Sequence, residues 1–190
     1  MELSDKIWWT RKSKIQTEKR LLSNSLQSQF LLLWYSFLSV SASVYNLKFP
    51  AAESMQIVWI ATSIWVLVIS GYITGLSFKE RASLIKESYQ ALQKLYELSK
   101  LPSSDQVELL EEYEKTLNLC ENHKEIDYYT ALCQEYLLAS KGSKNDDIKS
   151  RLNRLPTPYV WISWFSNKLM RITILSFFYA LPVATFVFFK

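Results

Sequence analysis

The chain has 190 residues, with 22 Lys and Arg against 18 Asp and Glu and a formal net charge of +4. Its 3 glycines, 1 histidine and 2 cysteines exclude a glycine-rich phosphate loop and a Cys/His metal cluster of ordinary spacing. The mean hydropathy of −0.02 averages a charged stretch with three runs, at 30–47, 55–78 and 172–189, that contain no Asp, Glu, Lys or Arg.

A membrane-spanning helix needs ~20 mostly apolar residues. A soluble domain of this length has no core large enough to hide three of them. The sequence therefore predicts an all-α integral membrane protein: three transmembrane helices plus a cytoplasmic helical hairpin. The parts expected are a basic amphipathic helix (1–29), a transmembrane hairpin (30–78), the cytoplasmic helical hairpin (79–150), and an interfacial elbow with a third span (151–190).

Leu3, Ile7, Trp8, Ile15, Leu22 and Leu26 recur at helical spacing through residues 3–28, as in an amphipathic helix. Two readings are open for Arg11, Lys12, Lys14, Lys19 and Arg20, which lie between them. They sit on anionic lipid, as in an interfacial helix, or the helix packs on the protein's own cytoplasmic domain. Trp8 and Trp9 beside Arg11 and Lys12 would also suit a nucleic acid, but no direct nucleic-acid binding is expected. The first apolar run starts behind this charged helix and is too long for a signal-peptide core.

The first run carries Ser36, Ser39 and Ser43 on one face. The second carries Ser63, Ser70 and Thr74, and a GxxxG formed by Gly71 and Gly75. Small and hydroxyl residues let transmembrane helices approach closely, and the same stripes suit the lining of a narrow pore. The spans hold no ionisable group of the kind ion-coupled transporters use at mid-membrane. Lys and Arg cluster before the first run, after the second and before the third. The positive-inside rule then puts the N-terminus and the charged domain in the cytoplasm and the C-terminus outside.

Residues 79–171 carry 14 basic and 14 acidic side chains, a water-facing helical composition. A charged helix runs from Lys79 to Lys100, with no break signalled between it and the second span, and Pro102 ends it. Ser103, Ser104 and Asp105 are N-cap candidates for a second helix from about Gln106 to Ala139. A polar loop follows at 141–147. Tyr159 to Phe165 reads as an interfacial elbow, and Pro182 kinks the third span.

The densest polar cluster is Glu121, Asn122, His123 and Asp127. On a continuous helix His123 and Asp127 are i, i+4 neighbours that can share a hydrogen bond. No nucleophile with a clear role stands beside them, so the cluster reads as a structural clasp. No catalytic residue, cofactor or metal ligand is assigned, and no enzyme is expected.

A basic amphipathic N-terminus, a two-span hairpin and a following helical hairpin, with Glu121-Asn122-His123 ahead of Asp127-Tyr128, resemble the SLATT family of bacterial membrane effectors over roughly residues 5–140. The third run departs from the simplest two-span pattern. The resemblance implies an inner-membrane effector of antiphage defence. It would form a homo-oligomeric pore, or perturb the membrane, on a signal from a separately encoded partner such as a nucleotide synthetase, a sensor or a reverse transcriptase. The alternative is a passive anchor or adaptor that recruits such a partner.

Overall fold

The computed structural model describes residues 3–48, 53–102, 105–140 and 152–188. The predicted loop at 141–147 and the cap candidates Ser103 and Ser104 lie outside these residues. Six helices occur among the described residues: α1 (Leu3–Lys48), α2 (Glu53–Gly75), α3 (Phe78–Leu98), α4 (Gln106–Asn118), α5 (Glu125–Ser140) and α6 (Pro158–Phe188). Among the described residues there is no strand, as the patterning requires. It divides into two compact units: Met1–Leu22 with Lys79–Leu169, and Ser23–Phe78 with Met170–Lys190.

In the first unit the start of α1 is a central element. One side of it gives Ile7 to a cluster with Leu92 and Leu95 of α3 and Leu109 and Tyr113 of α4. Another gives Trp9 to a cluster with Leu132 and Cys133 of α5 and Val160 of α6, flanked by Trp8, Tyr128, Tyr129, Trp161 and Trp164. Offset and edge-to-face rings dominate this second cluster, as in the Trp161–Trp164 pair at 5.6 Å, where the ring quadrupoles attract.

Asp105 caps α4, its side chain accepting from the Val107 N–H at 2.9 Å. The expected single helix from Gln106 to Ala139 is instead two, broken over 119–124. Asn122 Oδ1 accepts the His123 N–H at 2.9 Å, a local bond that competes with helix. Asp127, in the first turn of α5, reaches back to the Lys124 N–H at 3.0 Å. That is the reciprocal half of a capping box, and it starts a new helix.

The second unit joins 23–48 of α1, α2 and 170–188 of α6. Ser39 Oγ lies 2.9 Å from Ser63 Oγ, which ties α1 to α2. Arg171 Nη2 donates to Ser23 Oγ at 2.9 Å. α6 continues through Pro182, which has no N–H to give to the Phe178 carbonyl one turn back. The Tyr35 hydroxyl donates to that carbonyl at 3.0 Å. Trp34 Nε1 donates to the next one, Tyr179 O, at 3.1 Å. Tyr35 thus supplies the bond that the proline costs, and Trp34 adds a donor at the neighbouring carbonyl.

α2 and α3 are separate helices. α2 ends at Gly75, Leu76 and Ser77 turn back to the Ile73 and Thr74 carbonyls, and Ser77 takes φ 44°. This left-handed C-terminal position is one that glycine usually fills, and a serine there does not signal a break.

Candidate functional site

Two places gather the residues singled out from sequence: the apolar faces of the second unit and a buried polar spine in the first.

Two segments among the described residues are long and apolar enough to cross a membrane, Gln56–Leu98 and Pro158–Thr185, and only 6% of the apolar window of each is buried. The apolar part of the first is α2, which exposes Leu67 at 74% and Trp65 at 66%. Core helices of soluble proteins bury such side chains, and exposed apolar surface on this scale marks contact with lipid or protein. The 30–47 stretch of α1 also turns Leu33, Phe37, Val40 and Val44 outward.

The hydroxyl stripes divide. Ser39 is buried while Ser36 and Ser43 are exposed, and the Ser39–Ser63 bond is the one that joins two helices. Ser43, Ser63 and Thr74 also donate to carbonyls of their own helices, Thr74 to Ser70 O at 2.9 Å. A Cβ placed on Gly71 or Gly75 would meet nothing within 4 Å. The GxxxG face is therefore bare in the single chain.

The polar spine runs along α1 through Thr10, Ser13, Lys14, Thr17 and Arg20. Thr10 Oγ1 lies 2.9 Å from the Tyr113 hydroxyl. Arg20 grips Asp127 bidentately, Nε at 2.8 Å and Nη2 at 2.9 Å, and Thr17 Oγ1 donates to the same carboxylate at 3.0 Å. Asp127 is 3% exposed. The α5 N-terminus further favours its charge. Lys12 pairs with Glu135 at 2.6 Å.

These contacts correct the lipid-surface reading of the basic residues. Lys14 is fully buried, Lys12 and Arg20 face acidic partners on α5, and Arg11 Nε is buried. Of the five, Lys19 alone is exposed. The helix packs on its own domain because its cations meet acceptors there.

The clasp differs in detail from expectation. Asp127 takes Arg20 as its partner rather than His123. Glu121 pairs with Arg81 of α3, and Asn122 serves its neighbour's backbone. His123 Nδ1 is buried without a partner. Burial lowers the His123 pKa below its ordinary 6.5, with Lys14 adding to the effect and Asp127 opposing it. Among the described residues no three His, Cys, Asp or Glu side chains stand close enough to hold a metal ion.

Thr17, Ser88, Thr116 and Tyr113 complete the spine and were not anticipated. The break ahead of α5 did carry a signal in Asn122, a residue type whose side chain bonds nearby backbone in place of helix.

A helical chain with unburied apolar helices and a compact unit that encloses a polar spine has the features of a membrane protein. Over residues 1–189 the chain matches the SMODS and SLOG-associating 2TM effector domain family 5, and it belongs to that family. Membership makes it a membrane effector of the bacterial conflict-system class. The match includes the third apolar run, which is therefore part of the family's pattern and not a departure from it. No curated protein and no solved structure matches the chain.

Proposed function

We propose that the protein is a non-enzymatic antiphage effector of the bacterial inner membrane, which assembles as a homo-oligomer and opens a pore when a separately encoded partner triggers it. The carrying observation is the bare small-residue face of α2: Gly71 and Gly75 meet nothing within 4 Å on a helix whose apolar side chains are almost all outward. Such a face allows close helix approach, and one chain supplies no helix to fill it. Residues 30–47, α2 and the end of α6 act as three spans. The first unit stands in the cytoplasm, in accord with the basic residues that flank the spans. The family's description as associating with SMODS and SLOG domains supports a nucleotide synthetase or nucleotide sensor as the trigger, with a reverse transcriptase as the other candidate.

The test is membrane potential and propidium uptake in a bacterial host after induced coexpression with the neighbouring gene. Wild type depolarises the cells. Gly71→Leu inserts normally and leaves the potential unchanged. Depolarisation retained in Gly71→Leu overturns the role of this face.

A second reading, a passive anchor, has its own support in the first unit, a compact body with two apolar clusters that could dock a partner without a pore. Replacing the spans with unrelated ones preserves function on that reading and destroys it on the first.

A further inference from the structure

Lys14 is fully buried in the first unit, and among the described residues it makes no ion pair. Its Nζ donates to Ser88 Oγ at 2.8 Å and to Cys120 Sγ at 3.1 Å. The polarity of this triad is fixed: Ser88 sends its own hydroxyl hydrogen to the Thr116 carbonyl at 3.1 Å, so its oxygen can only accept from the lysine. A buried cation without a countercharge is costly, and an apolar side chain of similar volume usually packs there more cheaply. Lys14 is therefore poorly explained as a packing residue. What it does possess is an amine held by Ser88 within bonding reach of a half-buried thiol in the non-helical 119–124 connection.

We propose that Lys14 and Cys120 form a peroxide-driven covalent cross-link, a modification site that ties α1 to the connection between α4 and α5. In the first step a peroxide oxidises the Cys120 thiol. An S–O bond forms, the O–O bond breaks, sulfur loses two electrons to the peroxide, and water leaves. The product is a sulfenic acid, which can condense with a nearby nitrogen. In the second step Lys14, having released its ammonium proton to solvent, attacks sulfur with its nitrogen lone pair. The S–O bond breaks, the hydroxyl takes a proton from nitrogen and departs as water, and an S–N bond remains. A thiol reductant cleaves the bond and restores both side chains.

Cys133 is the internal contrast. It is fully buried, burial raises its thiol pKa with Lys168 opposing the rise, and it packs with Trp9 and Leu132 with no amine hydrogen-bonded to its sulfur among the described residues. Protonated, enclosed thiols are inert.

The experiment treats the full-length protein in detergent with hydrogen peroxide and reads peptides by mass spectrometry without reduction. The expected result is a linked peptide pair, one containing Lys14 and the other Cys120, lighter than the two together by two hydrogen atoms. It is absent in Cys120→Ser, retained in Cys133→Ser, and removed by reductant. Lys14→Arg keeps a cation but no nucleophilic amine, and leaves a Cys120 sulfenic acid that dimedone traps. Ser88→Ala removes the hydroxyl that aims the amine and slows linkage several-fold without altering the sulfur. Because wild type alone is decisive, a variant that fails to fold does not weaken the test. Dimedone-labelled Cys120 with no linked pair in wild type overturns the proposal, as does a linked pair that retains an extra oxygen atom.

Discussion

Asp127 shows how much one side chain settles in this chain. It receives two guanidinium bonds, a threonine hydroxyl and the first free N–H of α5, while almost wholly enclosed. Arg20→Ala would leave that carboxylate buried without its cation, a change that costs about 3 kcal/mol. Thermal unfolding in detergent is expected to show a clear loss for Arg20→Ala and a smaller one for Arg20→Lys, which keeps the charge but loses the fork. A fall no larger than that from a surface lysine such as Lys19→Ala would contradict the enclosed ion pair. His123 gives the second residue-scale prediction. Its folded pKa lies below 6.5 because burial disfavours the imidazolium. The unfolded state then binds more protons as the solution becomes acidic, so the stability this group contributes is present above pH ~6.5 and is lost as pH falls through the folded pKa. His123→Gln should flatten the stability profile in that window. An unchanged slope would place the acid sensitivity elsewhere.

At the scale of elements, the legible parts were those with local causes. The apolar runs announce themselves by composition, and Asp105 was readable as a cap because its partner, Val107, is two residues on. What escaped depends on distance or on an unusual backbone. Lys14 looked like one more surface cation because Ser88 and Cys120 lie 74 and 106 residues away in sequence. The 119–124 break has neither glycine nor proline to mark it, so His123 and Asp127 read as helical neighbours. Ser77 hides the end of α2 by adopting a glycine conformation. Ser77→Gly should therefore stabilise the protein by about 1 kcal/mol, visible as a raised unfolding temperature. A loss of stability would mean that the serine side chain matters more than its backbone. The carbonyls near Pro182 offer a coupled test. Tyr35→Phe should cost about 1 kcal/mol in the native sequence and much less in Pro182→Ala, where α6 can complete its own bonding. Equal costs in both backgrounds would disconnect the hydroxyl from the proline.

For the whole molecule, the proposed function puts the weight on surfaces. An effector that acts on lipid needs surfaces more than catalytic side chains, and surfaces are carried by residues such as Gly71 and Ser36 that resemble ordinary packing residues in a single chain. Since a Cβ at Gly71 meets nothing, Gly71→Leu should leave monomer stability within about 0.5 kcal/mol of wild type while changing the size of the detergent-solubilised particle. A stable variant of unchanged size would show that copies meet elsewhere.

The Phe178 carbonyl, which Pro182 leaves without its helix donor, faces a choice that water-soluble helices never meet. In hydrocarbon there is no solvent to stand in for a missing donor, and an orphaned carbonyl costs several kcal/mol. On the proposed function, the segment bearing Tyr35 cannot slide away from the proline-notched stretch of α6 during opening unless another donor arrives at once. The stretch of α1 that bears Trp34 and Tyr35 and the proline-notched stretch of α6 should therefore travel together as a single moving part.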